Sequence, residues 1–258
     1  MIDKWFYPVG KPKPMPTQEH WRALLLLYQI LLRFLPEEHL VGGEMVFMYD
    51  PLSLRKHYMP DLLVALRVGP EDPRFGGTRL QYRMWDEGKA PDIIIEAASE
   101  STVEKDNEEK RERYAQLGVR EYVQFDPAGN LLEPRLQVFR LLDAPPPRRG
   151  TAYDEDARYD LITAEEDGSV SSSVLPCAWL MAGNMLRLRE RATGQLLPTP
   201  EEAALTERDA LAQQRAVALA ERDTLAQQRD AVAEERDTAR EELARLRAEL
   251  AQLRGEGS

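Results

Sequence analysis

The feature that most constrains this chain is a fully apolar triplet, Ile93 to Ile95, enclosed by two acids, Asp92 and Glu96. A short run of β-branched residues without polar alternation is typical of a strand buried on both faces, so we expect this strand to be central. An S-x-x-E capping box then predicts a helix from Glu104 to Leu117, and Glu121 to Phe125 reads as the next strand. Strand, helix and strand in this order require a right-handed crossover, which predicts a parallel pair inside an otherwise antiparallel sheet.

Further elements on both sides of this unit complete an α/β core. Apolar residues at helical spacing predict a helix from Gln18 to Leu35, which Pro36 ends. Short apolar runs predict strands at Glu44 to Tyr49, Asp61 to Val68 and Leu136 to Leu142. The sequence therefore predicts a mixed central sheet that is flanked by helices.

Changes in composition divide the chain into regions. With 258 residues, 43% of them hydrophobic, the chain is long enough for one well-buried domain and an appendage, and we place the domain at residues 1–200. Prolines and lysines predict an extended arm over residues 1–16. Short strands around a D-G turn over residues 150–200 are expected to decorate the core. Residues 201–258 form a separate helical tail.

The tail is rich in Ala, Arg, Glu and Gln and repeats the triplet E-R-D every 14 residues, which is two heptads. One heptad position is apolar throughout and is occupied by Leu211, Ala218, Leu225, Val232, Ala239, Leu246 and Leu253. The position where a second apolar residue should stand instead carries arginine, at Arg208, Arg215, Arg222, Arg229 and Arg236. Two interpretations stay open: a coiled coil that joins copies through residues 205–254, and a solvated single helix.

Charge and cysteine content exclude some classes of protein. The net charge is −11, and both the first 200 residues and the tail are acidic, so the basic footprint of constitutive nucleic-acid binding is missing. This balance weighs less against an enzyme whose carboxylates hold a divalent cation and contact phosphate transiently. The single cysteine, Cys177, is expected to be a buried apolar residue, and the apolar runs fall short of the ~20 residues of a membrane span. These features favour a cytoplasmic protein.

The order of the strands determines which acids meet. Asp61 begins the second strand and Glu96 lies near the end of the third, so antiparallel pairing places their carboxylates side by side at one edge of the sheet. Asp92 lies about 13 Å from Glu96 at the strand rise and is excluded. Glu44 is expected at the far end of its strand from Asp61, unless the register differs. Asp61 alone is equally well explained as the start of a strand, whereas a carboxylate that closes a buried run needs a partner.

The helix after the central strand supplies a third candidate. By their spacing, Asp106, Lys110, Tyr114 and Leu117 share one face, which we expect to point inward. Lys110 then pairs either with Asp106 one turn earlier or with the acids at the strand ends. We take Lys110 as a site residue and keep Asp106, Tyr114 and Ser99 as further candidates, although Tyr114 is also typical of core packing.

Two carboxylates and an ammonium at one sheet edge suit phosphoryl chemistry. Mg²⁺ binds one or two carboxylates, keeps several waters and accepts phosphate oxygens, and Mn²⁺ is an alternative ion. A nearby ammonium offsets charge on the reacting phosphate and helps to orient the attacking water. The histidines His20, His39 and His57 lack metal-ligand spacing, and we expect each to be a surface or capping residue.

The string PDIIIEAASESTVEKDNEEKRERYAQLGVREYVQFDP, with the upstream MPDLLVAL and the intervening YRMWDEGKAP, resembles the Uma-type restriction endonucleases. The resemblance extends from about Trp5 to Glu202 and excludes the tail. This family is placed in the PD-(D/E)XK superfamily, whose members cut phosphodiester bonds with Mg²⁺. The resemblance implies a restriction-endonuclease-like fold, with Asp61 and Glu96 as metal ligands and DNA as a transient substrate.

The chain departs from the superfamily pattern in two places. The superfamily lysine stands two residues after the acid, where this chain has Ala98. Families of this type supply it from the following helix, which matches Lys110. The superfamily often has an early acid on the first helix, for which Glu19, Glu37 and Glu38 are equal candidates.

Two functions follow from these patterns. The first is a Mg²⁺-dependent endonuclease that acts on DNA. The second is a catalytically inactive nuclease fold that serves as an interaction platform, with the tail recruiting partners or joining copies. The acidic surface favours the second, whereas the carboxylates, the lysine and the resemblance favour the first.

Overall fold

The computed structural model describes residues 18–72, 77–99, 105–142 and 154–255. The chain divides into two units, Met1–Pro200 and Glu201–Ser258. The arm over residues 1–16, the capping box before the third helix and the segment over residues 145–150 lie outside the described residues.

Four helices and fourteen strands make up the described chain. The helices are α1 (Gln18–Phe34), α2 (Met84–Glu87), α3 (Lys105–Leu117) and α4 (Pro200–Gly255). The strands are β1 (Leu40–Gly43), β2 (Val46–Met48), β3 (His57–Tyr58), β4 (Leu62–Ala65), β5 (Glu71–Asp72), β6 (Gly77–Thr78), β7 (Gln81–Arg83), β8 (Ile93–Ala97), β9 (Glu121–Phe125), β10 (Leu136–Leu141), β11 (Tyr159–Leu161), β12 (Val170–Ser171), β13 (Cys177–Ala182) and β14 (Met185–Glu190).

A six-stranded sheet in the order β1-β4-β8-β9-β10-β11 forms the centre of the first unit. Among its described strands, β8 and β9 pair in parallel, and the other neighbours are antiparallel. All five residues of β8 are buried, as expected for a central strand. Helix α3 makes the crossover and ends where Gly118 adopts a positive φ of 86°, a conformation that glycine adopts without strain. The expected mixed α/β architecture is confirmed.

One face of the sheet is covered by α1 and by a second sheet. The buried stripe of α1 recurs at helical spacing and consists of Ala23, Leu24, Leu27, Ile30 and Leu31. It joins Trp179 and Leu188 of the sheet β12-β13-β14 in the same hydrophobic cluster as Ile93 and Ile95 of β8. These late strands therefore contribute to the core rather than decorating it, because their alternating apolar side chains face the central sheet.

The carboxylate of Glu121, at the start of β9, links these two sheets. Glu121 is 0% exposed and accepts hydrogen bonds from Nε1 of Trp179 at 2.7 Å and from Oγ of Ser172 at 2.7 Å. The backbone N–H and the hydroxyl of Ser173 donate to its other oxygen at 2.7 and 3.0 Å. Buried carboxylates are tolerated when donors surround them in this way.

The opposite face of the sheet is covered by α3 and a small sheet in the order β3-β2-β7. Tyr114 and Leu117 of α3 pack here with Leu63 of β4 and Ile94 of β8. Side chains at odd positions of β4 and even positions of β8 therefore face α3.

The predicted strand from Glu44 to Tyr49 is wrong in its bounds and in its partner. The chain instead forms β1, which pairs with β4, and then β2, which pairs with β3 and β7. Glu44 separates the two strands with a positive φ of 45°, which breaks the extended backbone.

The second unit is the single helix α4, so the expected long C-terminal helix is confirmed. Its apolar heptad position is exposed, with Leu211 at 66% and Leu225 at 65%. Arginine and aspartate neighbours form ion pairs along its surface, for example Arg222 with Asp223 at 2.8 Å. Pairing between copies stays a prediction. None of the described helices is both long and apolar enough to cross a membrane.

Candidate active site

Asp61 and Glu96 lie opposite each other at one end of the central sheet. Leu62 of β4 pairs with Ile95 of β8, and the same antiparallel register continued by one residue sets Asp61 against Glu96. Directly opposed residues of an antiparallel pair have Cβ atoms about 4.5–5.5 Å apart and point to the same face. Both acids are buried to the same extent, at 8% exposed.

The carboxylate of Asp61 is held from two directions. Its Oδ2 accepts a hydrogen bond from the backbone N–H of Ala97 at 2.9 Å, which ties it to β8. Nε2 of His20, in the first turn of α1, lies 3.7 Å from the same oxygen. The expectation that His20 is a surface or capping residue is wrong, because it is 8% exposed and faces this acid.

The carboxylate of Glu96 is held from α3. Nζ of Lys110 and the hydroxyl of Tyr114 each lie 3.3 Å from its Oε1, in position to donate hydrogen bonds. Tyr114 is 0% exposed and packs between the rings of Tyr58 and Tyr122, at centroid distances of 5.1 and 5.4 Å. Burial first, and the charge of Glu96 second, raise the pKa of Tyr114 well above its usual range, so that its hydroxyl remains a donor.

Glu44 lies nearer to this end of the sheet than the sequence predicts. Its backbone N–H donates to the carbonyl oxygen of Asp61 at 2.9 Å, so Glu44 directly follows β1 at the strand end beside the acids. The expectation that Glu44 begins a strand and lies far from Asp61 is wrong because the strand breaks at this residue. Its side chain is exposed.

Asp92 takes part in a different interaction at the other end of β8. The backbone N–H of Leu66 donates to its Oδ2 at 2.7 Å, and Lys89 and Arg120 form ion pairs with it. This arrangement fastens the loop after β4 to the start of β8, and it agrees with the exclusion of Asp92 from the site.

With this geometry in hand, comparison with known proteins identifies the family. Residues 6–162 match the model of the Uma2 family, whose description is "putative restriction endonuclease". The chain belongs to the Uma2 family. The curated proteins contain no match to this Uma2 chain. Among solved structures, it is similar to "a putative nuclease belonging to DUF820" from Anabaena variabilis, with a TM-score of 0.43 and 16% identity over 63% of this chain and 76% of the other.

The secondary candidates of this Uma2 chain have different surroundings. Ser99 is half-buried two residues beyond β8. Asp106 belongs to α3, but its side chain lies outside the described residues. The candidate early acids Glu19, Glu37 and Glu38 are all exposed. On α1, the side chain that faces Asp61 is therefore an imidazole rather than a carboxylate.

Two residues at this end of the sheet, His20 and Gln124, were not predicted from the sequence, although a sequence pattern indicated each of them. His20 continues the buried stripe of α1 by one turn before Ala23 and Leu24, so its position in the helical period indicated an inward side chain. Gln124 is a polar residue within the buried strand β9, at the position that the parallel register pairs with Glu96.

The donor set is compatible with the divalent ion that the family implies. Within the described part of the chain, no group of three or more His, Cys, Asp or Glu side chains is arranged to hold a metal. Mg²⁺ requires fewer protein ligands, because it binds through one or two carboxylates and keeps several waters. Asp61 and Glu96 would offer two hard oxygen atoms from neighbouring chain segments, so these residues fit an ion such as Mg²⁺ better than they fit a closed structural site.

Proposed function

We propose that this chain is a Mg²⁺-dependent endonuclease that hydrolyses phosphodiester bonds of DNA. The observation that supports it most strongly is the meeting of two opposed carboxylates, Asp61 and Glu96, with the ammonium of Lys110 at 3.3 Å from Glu96. Membership of the Uma2 family, whose description is "putative restriction endonuclease", agrees with this chemistry.

In this proposal the acids and the lysine have separate roles. Asp61 and Glu96 would hold the ion, whose chemistry when bound is to lower the pKa of a coordinated water and to accept a phosphate oxygen. Lys110 donates to a non-bridging oxygen of the scissile phosphate and stabilises the negative charge that develops there. Hydrolysis adds water across one P–O ester bond and leaves one phosphomonoester end and one hydroxyl end.

Two further groups keep the carboxylates in place. The backbone N–H of Ala97 fixes the orientation of Asp61. The hydroxyl of Tyr114, one helical turn after Lys110 on α3, lies 3.3 Å from Glu96 and stays neutral, so it remains a donor while Lys110 exchanges partners between Glu96 and phosphate. Such supporting contacts typically change metal affinity or activity by about 10- to 100-fold.

The acidic character of the chain is consistent with brief contact rather than stable binding. A net charge of −11 repels the phosphate backbone, so affinity for DNA must come from the ion and from local donors. We therefore propose that DNA is a transient partner.

Nicking of supercoiled plasmid, measured with Mg²⁺ and with Mn²⁺, tests this function. We expect Glu96→Gln and Lys110→Ala each to lower the rate by at least about 100-fold. Glu112→Gln is the matched control, because Glu112 is an exposed acid on the same helix as Lys110. It should cleave as the wild type does.

Each outcome has a definite meaning. Cleavage that both site variants lose and the control keeps supports the endonuclease. Cleavage that Glu96→Gln retains in full identifies a contaminating nuclease and overturns the assignment. If the folded wild type cuts no supercoiled, linear or single-stranded DNA with either ion, the result favours the alternative function, an inactive nuclease fold that serves as an interaction platform.

A further inference from the structure

The two acids belong to a row of polar residues that crosses the central sheet. Glu44 bonds to Asp61 across β1 and β4, and Asp61 stands opposite Glu96. Glu96 is the register partner of Gln124 in β9, which in turn is the partner of Gln137 in β10. Register neighbours point to the same face of a sheet, so the row extends the candidate site beyond the residues that the sequence predicts.

The side chain of Gln124 lies on the same face as Glu96. Tyr122, two residues earlier in β9, packs in the cluster formed by α3, whereas Val123 and Phe125 pack in the cluster formed by α1. Strand alternation therefore directs Gln124 toward α3, as it does Glu96. Glutamine and glutamate side chains have the same length, and neighbouring strands lie about 4.8 Å apart, so the amide is within reach of a phosphate oxygen at the divalent ion that Glu96 would hold.

The side chain of Gln124 is largely buried, but its amide atoms remain accessible to solvent and bond to no described residue. The residue is 5% exposed, and within the described residues no hydrogen bond to its side chain is present. By contrast, Gln137, next along the row, donates to the carbonyl oxygen of Glu133. An amide that reaches solvent beside two acids, and that no protein group occupies, is available to donate to a bound ligand.

We propose that Gln124 is a substrate-contacting residue whose side-chain NH₂ donates a hydrogen bond to a non-bridging oxygen of the phosphodiester held at Glu96. This inference rests on the proposed endonuclease function. It gives the scissile phosphate a neutral donor from β9 in addition to the ammonium of Lys110 from α3. A neutral donor suits this position, because a second cation would compete for the Glu96 carboxylate.

The test compares Gln124→Met with Gln137→Met in plasmid nicking and in thermal unfolding. Methionine keeps the length of glutamine and removes the amide, and Gln137 provides the same substitution one strand further along the same face. We expect Gln124→Met to lower kcat/KM by about 10- to 100-fold, the loss of one hydrogen bond to a charged group. We expect its melting temperature to stay the same, because the amide makes no hydrogen bond within the described protein.

The two readouts separate substrate contact from support of the fold. A structural role would lower activity and melting temperature together, whereas substrate contact lowers activity alone. Gln137→Met should leave kcat/KM within about twofold of the wild type, since its amide already has a protein acceptor. Equal losses in both variants would overturn the assignment of Gln124.

A second variant keeps the proposal testable if Gln124→Met does not fold. Gln124→Glu preserves shape and replaces the donor by a carboxylate that is ionised at neutral pH, so we expect a larger loss of kcat/KM than for Gln124→Met. If the wild type cleaves and the folded variants cleave equally well, the role of Gln124 is overturned but the endonuclease function is not. A wild type that does not cleave overturns this role and the endonuclease function together.

Discussion

The imidazole of His20 and the carboxylate of Asp61 lie 3.7 Å apart, measured from Nε2 to Oδ2, although His20 belongs to the first helix and Asp61 directly precedes β4. The helix packs on one face of the sheet, whereas α3 approaches the same group of acids from the other. The candidate site is thus assembled where two helical layers meet the end of the sheet.

We therefore predict that His20→Gln lowers plasmid nicking by about 10- to 100-fold, as expected for a residue that orients a metal-binding carboxylate. His39→Gln is the control, because His39 precedes β1 at the end of the sheet away from Asp61. The measurement is the nicking rate as a function of Mg²⁺ concentration. A variant with an unchanged rate and unchanged Mg²⁺ dependence would show that His20 only fills space.

The donors around Glu121 predict a large effect on stability. Glu121→Gln replaces one acceptor oxygen by a donor that faces other donors, and we expect the free energy of unfolding to fall by about 2–4 kcal/mol. Trp179→Phe removes a single donor and should cost about 1–3 kcal/mol. Urea unfolding measures both. Glu190→Gln is the control, since Glu190 accepts from an exposed threonine, and an effect of Glu121→Gln no larger than that of the control would contradict the prediction.

Buried tyrosines predict a loss of stability in alkali. Burial raises the pKa of Tyr82, Tyr114, Tyr122 and Tyr159 above the usual value of 10.0. Below pH about 10 these groups are protonated in both states, so their contribution to stability is fully present. At higher pH the unfolded chain releases protons that the folded chain retains, and the free energy of unfolding falls. Urea unfolding between pH about 8 and about 11 checks this, and Tyr114→Phe should flatten the decline; constant stability across that interval would refute it.

The exposed stripe of α4 predicts association through the tail. Leu211, Leu225, Val232 and Leu246 occupy one heptad position and are all more than half exposed, so a second copy of the helix is the partner that the repeat fits. We expect a dimer for the full chain and a monomer for a chain that ends at Pro200, as measured by sedimentation. Leu225→Glu should dissociate the dimer, whereas Gln227→Glu, on another side of the helix, should not. Monomers throughout would favour the solvated single helix.

The unit β8-α3-β9 could be predicted because its information is local. An apolar strand, a helix of defined period and a second strand follow one another, and the handedness of the crossover leaves a single arrangement. The opposition of Asp61 and Glu96 followed from the same reasoning, since antiparallel pairing determines which strand ends meet. Lys110 followed from helical spacing.

The remaining features depend on contacts between distant segments. The break at Glu44 requires a positive φ that an ordinary residue adopts only when its surroundings impose it. The role of the late strands depends on the bond between Glu121 and Trp179, which are 58 residues apart. For His20, the period of α1 indicated an inward side chain, but only the docking of the helix determines that it faces Asp61.

The buried Glu121 carboxylate also has a consequence for how the first unit loses its structure. If the sheet β12-β13-β14 were to open while the central sheet stayed intact, a charge in the core would lose its donors from Ser172, Ser173 and Trp179 at once. The same opening would expose the hydrophobic cluster that both sheets share, so partially open states are sparsely populated. The Glu121 carboxylate and the shared hydrophobic cluster therefore join the two sheets into one cooperative folding unit, and their amide protons should exchange together rather than sheet by sheet.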